Sequence, residues 1–198
     1  MLPEVCIRRP WPIVISAYTV TSHLGDYYKR ATARLQASLL KFDLPHIILP
    51  MKKPIDWTHG CSFKADIIHH FFTTLKQPIL WIDADGEMFQ LPEIFKNATF
   101  DMALSSTGGG HWLTGTLYFG MGAGNLINDW KNACSQKEAD EITLLNLCRN
   151  KHKNLNIKML PSPYNQIVHS KTDTSKLIIG HYIRPDVAPS RGVKAVKI

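Results

Sequence analysis

Two aspartates, Asp83 and Asp85, directly follow an apolar run in the segment ILWIDADGEMF, residues 79–89. Such a run predicts a buried strand, and two carboxylates at its end destabilise a fold unless they are paired or bound. Because alternate strand side chains point to the same side, both carboxylates could reach one divalent cation. Carboxylate oxygens suit Mg²⁺ or Mn²⁺, which keep waters and share their coordination shell with substrate phosphates. A simpler interpretation, in which the aspartates only cap a turn, stays open.

The elements predicted around this segment alternate between strands and helices. Apolar runs predict strands over 13–19, 46–51, 79–83, 101–106, 115–120, 155–160 and 176–180. Helical spacing of apolar residues predicts helices over 26–42, 125–134 and 140–149. A further helix is predicted to begin at Ser62, and its inward ridge is Phe63, Ile67, Phe71 and Leu75. This order indicates an α/β domain, in which ligands bind at the carboxyl ends of the strands.

The composition is that of a folded protein with an excess of positive charge. The 198 residues are 44% hydrophobic and 20% charged, which suits one domain, and no apolar run approaches the roughly 20 residues that cross a bilayer. The N-terminus does not read as a secretory signal, and the four cysteines form no Cys-x-x-Cys pair, so we expect a cytoplasmic protein. The net charge of +7 favours anionic partners: phosphates, nucleic acid or an acidic membrane surface.

The segment WIDADGEMF resembles the Asp-x-Asp motif of glycosyltransferases of the GT-A fold, which transfer a sugar from a nucleotide-sugar. Similar segments follow the same order along residues 13–194, and they are ISAYT (15–19), TGTLYFG (114–120), ADEITLLNLC (139–148), LPSPYN (160–165) and IIGHY (178–182). The resemblance implies one GT-A-like domain over 1–198, with a Rossmann-like mixed sheet and helices on both faces. It divides into a nucleotide-binding half (12–85), an acceptor half (86–180) and a basic C-terminal tail (181–198).

The resemblance also implies a donor and a metal site. It implies that Tyr18 and Thr19, at the end of the first strand, contact the nucleotide base of a donor, with UDP as the nucleotide. Lys64, in the first turn of its predicted helix, would face the donor diphosphate, which Asp83 would also help to bind. Asp83, Asp85 and His181 would form the site for Mn²⁺ or Mg²⁺, with Asp85 as the direct ligand opposite His181. Asp83 would contact the metal through water or hold the ribose.

For the reaction itself, a hexosyl transfer, the resemblance implies an acidic residue near the transferred sugar. Asp140 or Glu141 would hold that sugar or deprotonate the acceptor hydroxyl. Structural explanations compete with each of these assignments. Lys64 could be an exposed lysine balanced by Asp66, His181 could be structural, and the two acids could simply favour a helix N-terminus.

Two further segments could contact substrates. The basic tail RPDVAPSRGVKAVK contains Arg191 and Lys194, which could neutralise the leaving diphosphate, although such a tail could equally be solvated. The loop SSTGGGHW, with His111 and Trp112, and the following Thr114 could contact the acceptor. The charge excess makes nucleic acid a candidate acceptor, for instance a hydroxymethylated base that leaves the stack.

Two other functions compete with glycosyl transfer. DADG also resembles the first motif of haloacid-dehalogenase-like, Mg²⁺-dependent phosphatases, in which Asp83 would be the nucleophile. That motif usually opens its domain, whereas about 80 residues precede it here. A non-enzymatic, basic nucleic-acid-binding domain would need clustered basic and aromatic residues, and it gives no reason for Asp83 and Asp85. The sequence predicts no oligomeric state.

Overall fold

A computed structural model describes residues 10–20, 25–51, 57–107, 110–134 and 140–182 of the chain. In this part of the chain the strands are β1 (Ile13–Thr19), β2 (His46–Met51), β3 (Ile79–Ile82), β4 (Gly86–Met88), β5 (Met102–Ser106), β6 (Trp112–Phe119), β7 (Ile157–Met159), β8 (Gln166–Ile167) and β9 (Ile179–His181). The helices are α1 (Gly25–Lys41), α2 (Trp57–Leu75), α3 (Gly124–Ala133) and α4 (Asp140–Asn150).

The strands form one large mixed sheet and one small sheet. The large sheet has six strands in the order β2-β1-β3-β6-β5-β7, and the small sheet has three in the order β4-β9-β8. Strand β1 is parallel to β2 and β3, whereas β6 is antiparallel to both β3 and β5. The predicted α/β class with a mixed sheet is confirmed. Because β1 and β3 run parallel, their carboxyl ends lie at the same edge.

Alternation along the strands divides the core between the two faces of the large sheet. Ile79 and Trp81 of β3 pack on one face, with buried residues of α2, α3 and α4. Leu80 and Ile82 pack on the other face, with α1 and a cluster of aromatic side chains. That aromatic cluster includes Phe95, Phe100, Tyr118 and Tyr164. The predicted helices on both faces are therefore confirmed, and the sheet is buried between them.

Helix α2 departs from the prediction at its start and in its buried face. It begins at Trp57 rather than at Ser62. Gly60 and Ser62 have low helix propensity, which explains why the sequence pattern placed the start too late. The most deeply buried face is formed by Ala65, Ile68 and Phe72, while the predicted ridge lies beside it, with Ile67 and Phe71 partly buried.

Two strands of the small sheet were not predicted. Strand β4 spans only three residues and β8 only two, too short for an alternating apolar pattern to be recognised. Strand β4 nevertheless pairs with β9 in antiparallel register, with Gly86 opposite His181. The small sheet thus brings the end of the Asp-x-Asp segment beside the predicted third metal ligand.

Candidate functional site

Asp83 and Asp85 lie in a tight turn rather than along a strand. Strand β3 ends at Ile82 and β4 begins at Gly86, and the Gly86 amide donates to the Asp83 carbonyl oxygen at 2.8 Å. The expectation that Asp83 and Asp85 are alternate residues of a strand is therefore wrong, although their carboxylates lie close enough to interact electrostatically. The turn directs them to different partners.

The Lys64 ammonium lies between two carboxylates that come from distant parts of the chain. Its Nζ is 3.1 Å from Asp83 Oδ1 and 3.1 Å from Asp140 Oδ2. It also donates to Thr114, at 3.1 Å to the backbone oxygen and 3.2 Å to Oγ1. The indole Nε1 of Trp81 donates to Asp83 Oδ1 at 2.6 Å. These five residues form the Lys64 cluster, which joins α2, β3, β6 and the start of α4.

The position of Lys64 contradicts the structural explanation offered from the sequence. Lys64 is only 7% exposed, whereas Asp66 is exposed, so Lys64 is not a surface lysine balanced by Asp66. Because α2 begins at Trp57, Lys64 also lies inside the helix and not in its first turn. A buried ammonium requires paired acceptors, and the Lys64 cluster provides them.

The three carboxyl groups around Lys64 have different proton affinities. Burial raises the pKa of Asp83 above its usual value, against the lowering effect of the Lys64 ammonium. Burial would also raise the pKa of Asp140, but Lys64 and hydrogen bonds from neighbouring side chains leave it below its usual value. Burial, together with a hydrogen bond to Asp140, raises the pKa of Glu141 to about 7. Asp140 is therefore held as an anion, while Glu141 exchanges its proton near neutral pH.

Asp85 contacts His181, and its charge also contributes to the raised pKa of Asp83. Asp85 Oδ1 is 3.3 Å from His181 Nδ1, and the other ring nitrogen, Nε2, is 3.0 Å from Thr116 Oγ1. Thr116 is fully buried and His181 is 9% exposed. In the tautomer with the proton on Nε2, that N–H donates a hydrogen bond to Thr116 Oγ1. The lone pair of Nδ1 then faces Asp85 and is available to a metal ion.

Two glycines make room for the His181 ring. A Cβ on Gly115 would lie 3.1 Å from Cε1 and 3.3 Å from Nε2 of His181, and a Cβ on Gly86 would lie 3.4 Å from Cε1. Gly115 belongs to an irregular stretch of β6, because Leu104 of β5 pairs with Leu117 but Ser105 pairs with Leu113. Bulges of this kind re-aim side chains near functional sites, and here the skipped residues 114–116 contact both Lys64 and His181.

The remaining predicted residues lie outside both the Lys64 cluster and the Asp85–His181 pair, or outside the described part of the chain. Tyr18 is half-buried near the carboxyl end of β1, the edge where Asp83 also lies. His111 lies in the exposed turn before β6, where its carbonyl oxygen accepts from the Thr107 amide, and Trp112 packs partly buried against the core. The side chain of Thr19, and all of Arg191 and Lys194, lie outside the described residues.

Trp81 and Thr116 were not predicted as site residues. Trp81 lies two positions before Asp83, and Thr116 lies within the quoted segment TGTLYFG, so both were close to recognised motifs. The sequence could have suggested Trp81, since a polar indole N–H in a buried strand needs an acceptor. Nothing local predicts that Thr116 contacts a histidine 65 residues later.

Asp85 and His181 are a carboxylate and an imidazole that could together hold a divalent cation. Within the described ranges, no group of three or more His, Cys, Asp or Glu side chains is arranged to hold a metal ion. Two neighbouring ligands of an octahedral ion with bonds of about 2.1 Å lie about 3.0 Å apart, close to the observed separation of the Asp85 and His181 atoms. A carboxylate oxygen and an imidazole nitrogen also suit Mn²⁺ or Mg²⁺, with waters and phosphate oxygens as further ligands.

Comparison with known proteins identifies the fold. No protein-family model and no curated protein sequence matches the chain. The chain is similar to the crystal structure of a glycosyltransferase involved in the glycosylation of the major capsid of PBCV-1, with a TM-score of 0.61 and 14% identity over 87% of this chain and 92% of that one. The chain therefore has the fold of a glycosyltransferase structure.

Two structures of the glycosyltransferase GlyE from Streptococcus pneumoniae TIGR4 are also similar. The apo form has a TM-score of 0.57 and 18% identity over 89% of this chain, and the second structure has a TM-score of 0.55 and 18% identity over 88%. The chain spans 55% and 56% of the GlyE chains in those two structures. In the described part of this chain, no helix is long and apolar enough to cross a membrane.

We expect Lys64→Met to destabilise the fold, because it leaves two carboxylates without their shared cation. Breaking a buried ion pair costs about 3 kcal/mol, and chemical denaturation at pH 7 should report a loss of that size. The lowered pKa of Asp140 contributes stability above its usual value of 3.8, and that contribution is lost as the pH falls below it. The difference between the two proteins should therefore shrink in acid. Lys176→Met, at an exposed lysine paired with Asp173, is the matched control and should have little effect.

A second prediction concerns the space beside the His181 ring. In Gly115→Ala the new Cβ would lie 2.9 Å from Asn165 Oδ1 as well as against the imidazole, so we expect a loss of about 2 kcal/mol in the free energy of unfolding. Gly124→Ala is the control, since its Cβ would meet Phe72 Cε1 at an ordinary 3.5 Å. Equal stability of the two variants in urea denaturation would show that Gly115 is not sterically required.

Glu141 should make the stability depend on pH. Its carboxyl has an ordinary pKa of 4.5 and a pKa of about 7 in the folded chain. Between these values the folded state binds the additional proton, so Glu141 stabilises the fold below pH 4.5 and loses that effect as the pH rises through 7. We expect Glu141→Gln to flatten the fall in unfolding free energy over this range. An unchanged slope would contradict the raised pKa, and Glu93→Gln, at an exposed glutamate, controls for the loss of one carboxylate.

Proposed function

We propose that the protein is a metal-dependent glycosyltransferase of the GT-A type, which transfers a sugar from a nucleotide-diphosphate donor to a hydroxyl acceptor. The observation that carries the proposal is the contact between Asp85 Oδ1 and His181 Nδ1, at the edge where β1 and β3 end. A fold shared with glycosyltransferase structures supports it. The donor nucleotide we propose is UDP, as the sequence resemblance implies.

In this proposal Asp85 and His181 hold Mn²⁺ or Mg²⁺ directly. A bound divalent cation would offset the negative charge that develops on the departing diphosphate. Thr116 keeps the His181 ring oriented through Nε2, and Gly86 and Gly115 leave room for that ring. We assign Asp83 the indirect metal role that the sequence allowed, because its Oδ1 already accepts from Lys64 and Trp81.

Lys64 takes a positioning role rather than the predicted contact with the diphosphate. Its ammonium is surrounded by Asp83, Asp140 and Thr114, and it is almost completely buried. It therefore fixes the polar surface on which the transferred sugar would lie. Tyr18, at the carboxyl end of β1, remains the proposed contact for the nucleotide base.

Asp140 and Glu141, at the start of α4, take different roles in this proposal, whereas the sequence left open which of them holds the sugar and which accepts the proton. Asp140 is 1% exposed and bound to Lys64, so it orients the sugar side of the site. Glu141 is half-buried with a pKa of about 7, a value suited to a general base near neutral pH. The Glu141 carboxylate would accept the acceptor hydroxyl proton while the oxygen bonds to the anomeric carbon and the bond from that carbon to the diphosphate breaks.

The last described residue supports a role for the basic tail. The Tyr182 amide donates to the Asp85 carbonyl oxygen at 3.1 Å, so the chain beyond it starts beside the proposed metal site. Arg191 and Lys194 follow within about a dozen residues, a length that can span 35 Å or more when extended. Their proposed contact with the diphosphate rests on this proximity and on their charge.

The competing functions have less support. An Asp83 nucleophile would have to be accessible and free of strong partners, yet Asp83 Oδ1 accepts from Trp81 and pairs with Lys64. In the part of the chain that the structure describes, exposed basic residues come from several elements, among them Lys29 of α1, Lys131 of α3 and Lys158 of β7. This spread does not favour a dedicated nucleic-acid-binding domain.

Nucleic acid remains our proposed acceptor class on net charge, alongside a protein acceptor. The similar PBCV-1 enzyme is described as acting in the glycosylation of a capsid protein. Hydroxymethylated DNA, unmodified DNA and a protein acceptor can be compared by product mass at two salt concentrations. Transfer to DNA that weakens steeply with salt would support a polyanionic acceptor, and transfer confined to protein would eliminate it.

The proposal predicts that Asp85→Asn abolishes Mn²⁺-dependent release of nucleoside diphosphate from a panel of nucleotide-sugars. The variant keeps the shape of the side chain but removes the charge that binds the cation. Asp43→Asn is the matched control, because Asp43 is exposed in a turn with a φ of 51°, a conformation that asparagine tolerates. Normal activity of Asp85→Asn would overturn the metal assignment. Release of inorganic phosphate from simple phosphomonoesters would instead indicate a phosphatase.

A further inference from the structure

Tyr182, the residue after His181, is held by groups from three different elements. Its amide nitrogen donates to the Asp85 carbonyl oxygen at 3.1 Å, and its carbonyl oxygen accepts from the Tyr27 hydroxyl at 2.8 Å. Its hydroxyl donates to Glu87 Oε2 at 2.7 Å. The Arg34 guanidinium lies over its ring, 4.1 Å from the ring centre, and Arg34 Nε is 4.0 Å from Glu87 Oε2.

These residues lie one or two positions from the proposed metal ligands. Glu87 follows Asp85 by two residues, and Tyr182 follows His181 directly. Strands β4 and β9 pair through three residues each, and backbone hydrogen bonds from Phe89 to Ile178 and from Tyr182 to Asp85 continue the pairing at its two ends. The bond from the Tyr182 hydroxyl to Glu87 adds a side-chain connection between the residues of these two strands.

Helix α1 provides the opposing surface. Tyr27, Arg34 and Ser38 are seven and four residues apart, which places them along one face of the helix. Ser38 Oγ accepts from the Met88 amide at 3.0 Å, so α1 contacts β4 beyond Glu87 as well. The same helix follows β1, whose carboxyl end is the proposed base-binding side.

We propose that Tyr27, Arg34, Glu87 and Tyr182 form a clamp that positions Asp85 and His181 for a shared divalent cation, with Tyr182 as its central positioning residue. This inference rests on the proposed function. Each hydrogen bond of the clamp restrains the backbone beside one of the two proposed ligands. The clamp thereby keeps the Asp85 and His181 atoms at the separation that one cation requires.

The clamp predicts that Tyr182→Phe weakens Mn²⁺ binding by about 10-fold, the lower end of the range for losing a group that orients metal ligands. The variant keeps the ring beneath Arg34 and removes only the hydroxyl bond to Glu87. Mn²⁺ affinity is measured on the full-length, donor-free protein from the electron paramagnetic resonance signal of free aqueous Mn²⁺. Glu87→Gln, which keeps an acceptor for the hydroxyl, should bind Mn²⁺ more tightly than Glu87→Ala.

Tyr118→Phe is the matched control, because Tyr118 is buried in the aromatic cluster and its affinity for Mn²⁺ should equal that of the wild type. Thermal unfolding is recorded for every variant so that affinities refer to folded protein. A lower melting temperature for Tyr182→Phe with unchanged Mn²⁺ affinity would overturn the clamp and leave the metal site standing. A wild-type protein that does not bind Mn²⁺ would overturn the metal assignment and the clamp together.

Discussion

The buried Lys64 ammonium is the interaction on which the arrangement of the site depends. Its charge is stable in the interior only because Asp83 and Asp140 lie beside it and Thr114 accepts hydrogen bonds from it. These partners belong to the end of β3, the start of α4 and the irregular part of β6. The Lys64 ammonium therefore fixes the relative positions of three segments that are far apart in sequence.

This arrangement separates the functions of the two aspartates. Asp83 is engaged by Lys64 and Trp81, so its carboxylate serves to complete a buried polar cluster. Asp85, two residues later, faces His181 from the other end of the turn. In the proposed function, Asp83 is therefore a positioning residue and Asp85 is the residue that binds the cation. The proposed reaction depends on that division, since a cation drawn toward Asp83 would compete with Lys64.

The sequence predicted the framework well and the site only in part. The bounds of β1 and β2 agree with the prediction, because each is a continuous apolar run between breaks in the pattern. The Asp-x-Asp segment was recognised because two carboxylates after a buried strand need a chemical reason. The start of α2 was missed, since Gly60 and Ser62 disfavour helix locally and tertiary packing overrides that preference.

The partners of each site residue could not be predicted, because they depend on contacts across the chain. Lys64 meets Thr114 at a separation of 50 residues, and Tyr27 meets Tyr182 at a separation of 155. The spacing of apolar residues, which predicts helices and strands, does not predict such long-range contacts. Strand β4 was likewise hidden, because three residues leave too weak a pattern to be recognised. The sequence already favoured Asp85 as the direct metal ligand, but the contacts of Asp83 with Lys64 and Trp81 became evident only in the folded chain.

The most direct test of this account is a crystal structure of the protein with Mn²⁺ and UDP, in which anomalous scattering locates the manganese. The account predicts one strong anomalous peak within coordination distance of Asp85 Oδ1 and His181 Nδ1, with Lys64 still bound to Asp83 and Asp140. A peak coordinated by Asp83 after Lys64 has moved away, or no peak at this edge of the sheet, would contradict it.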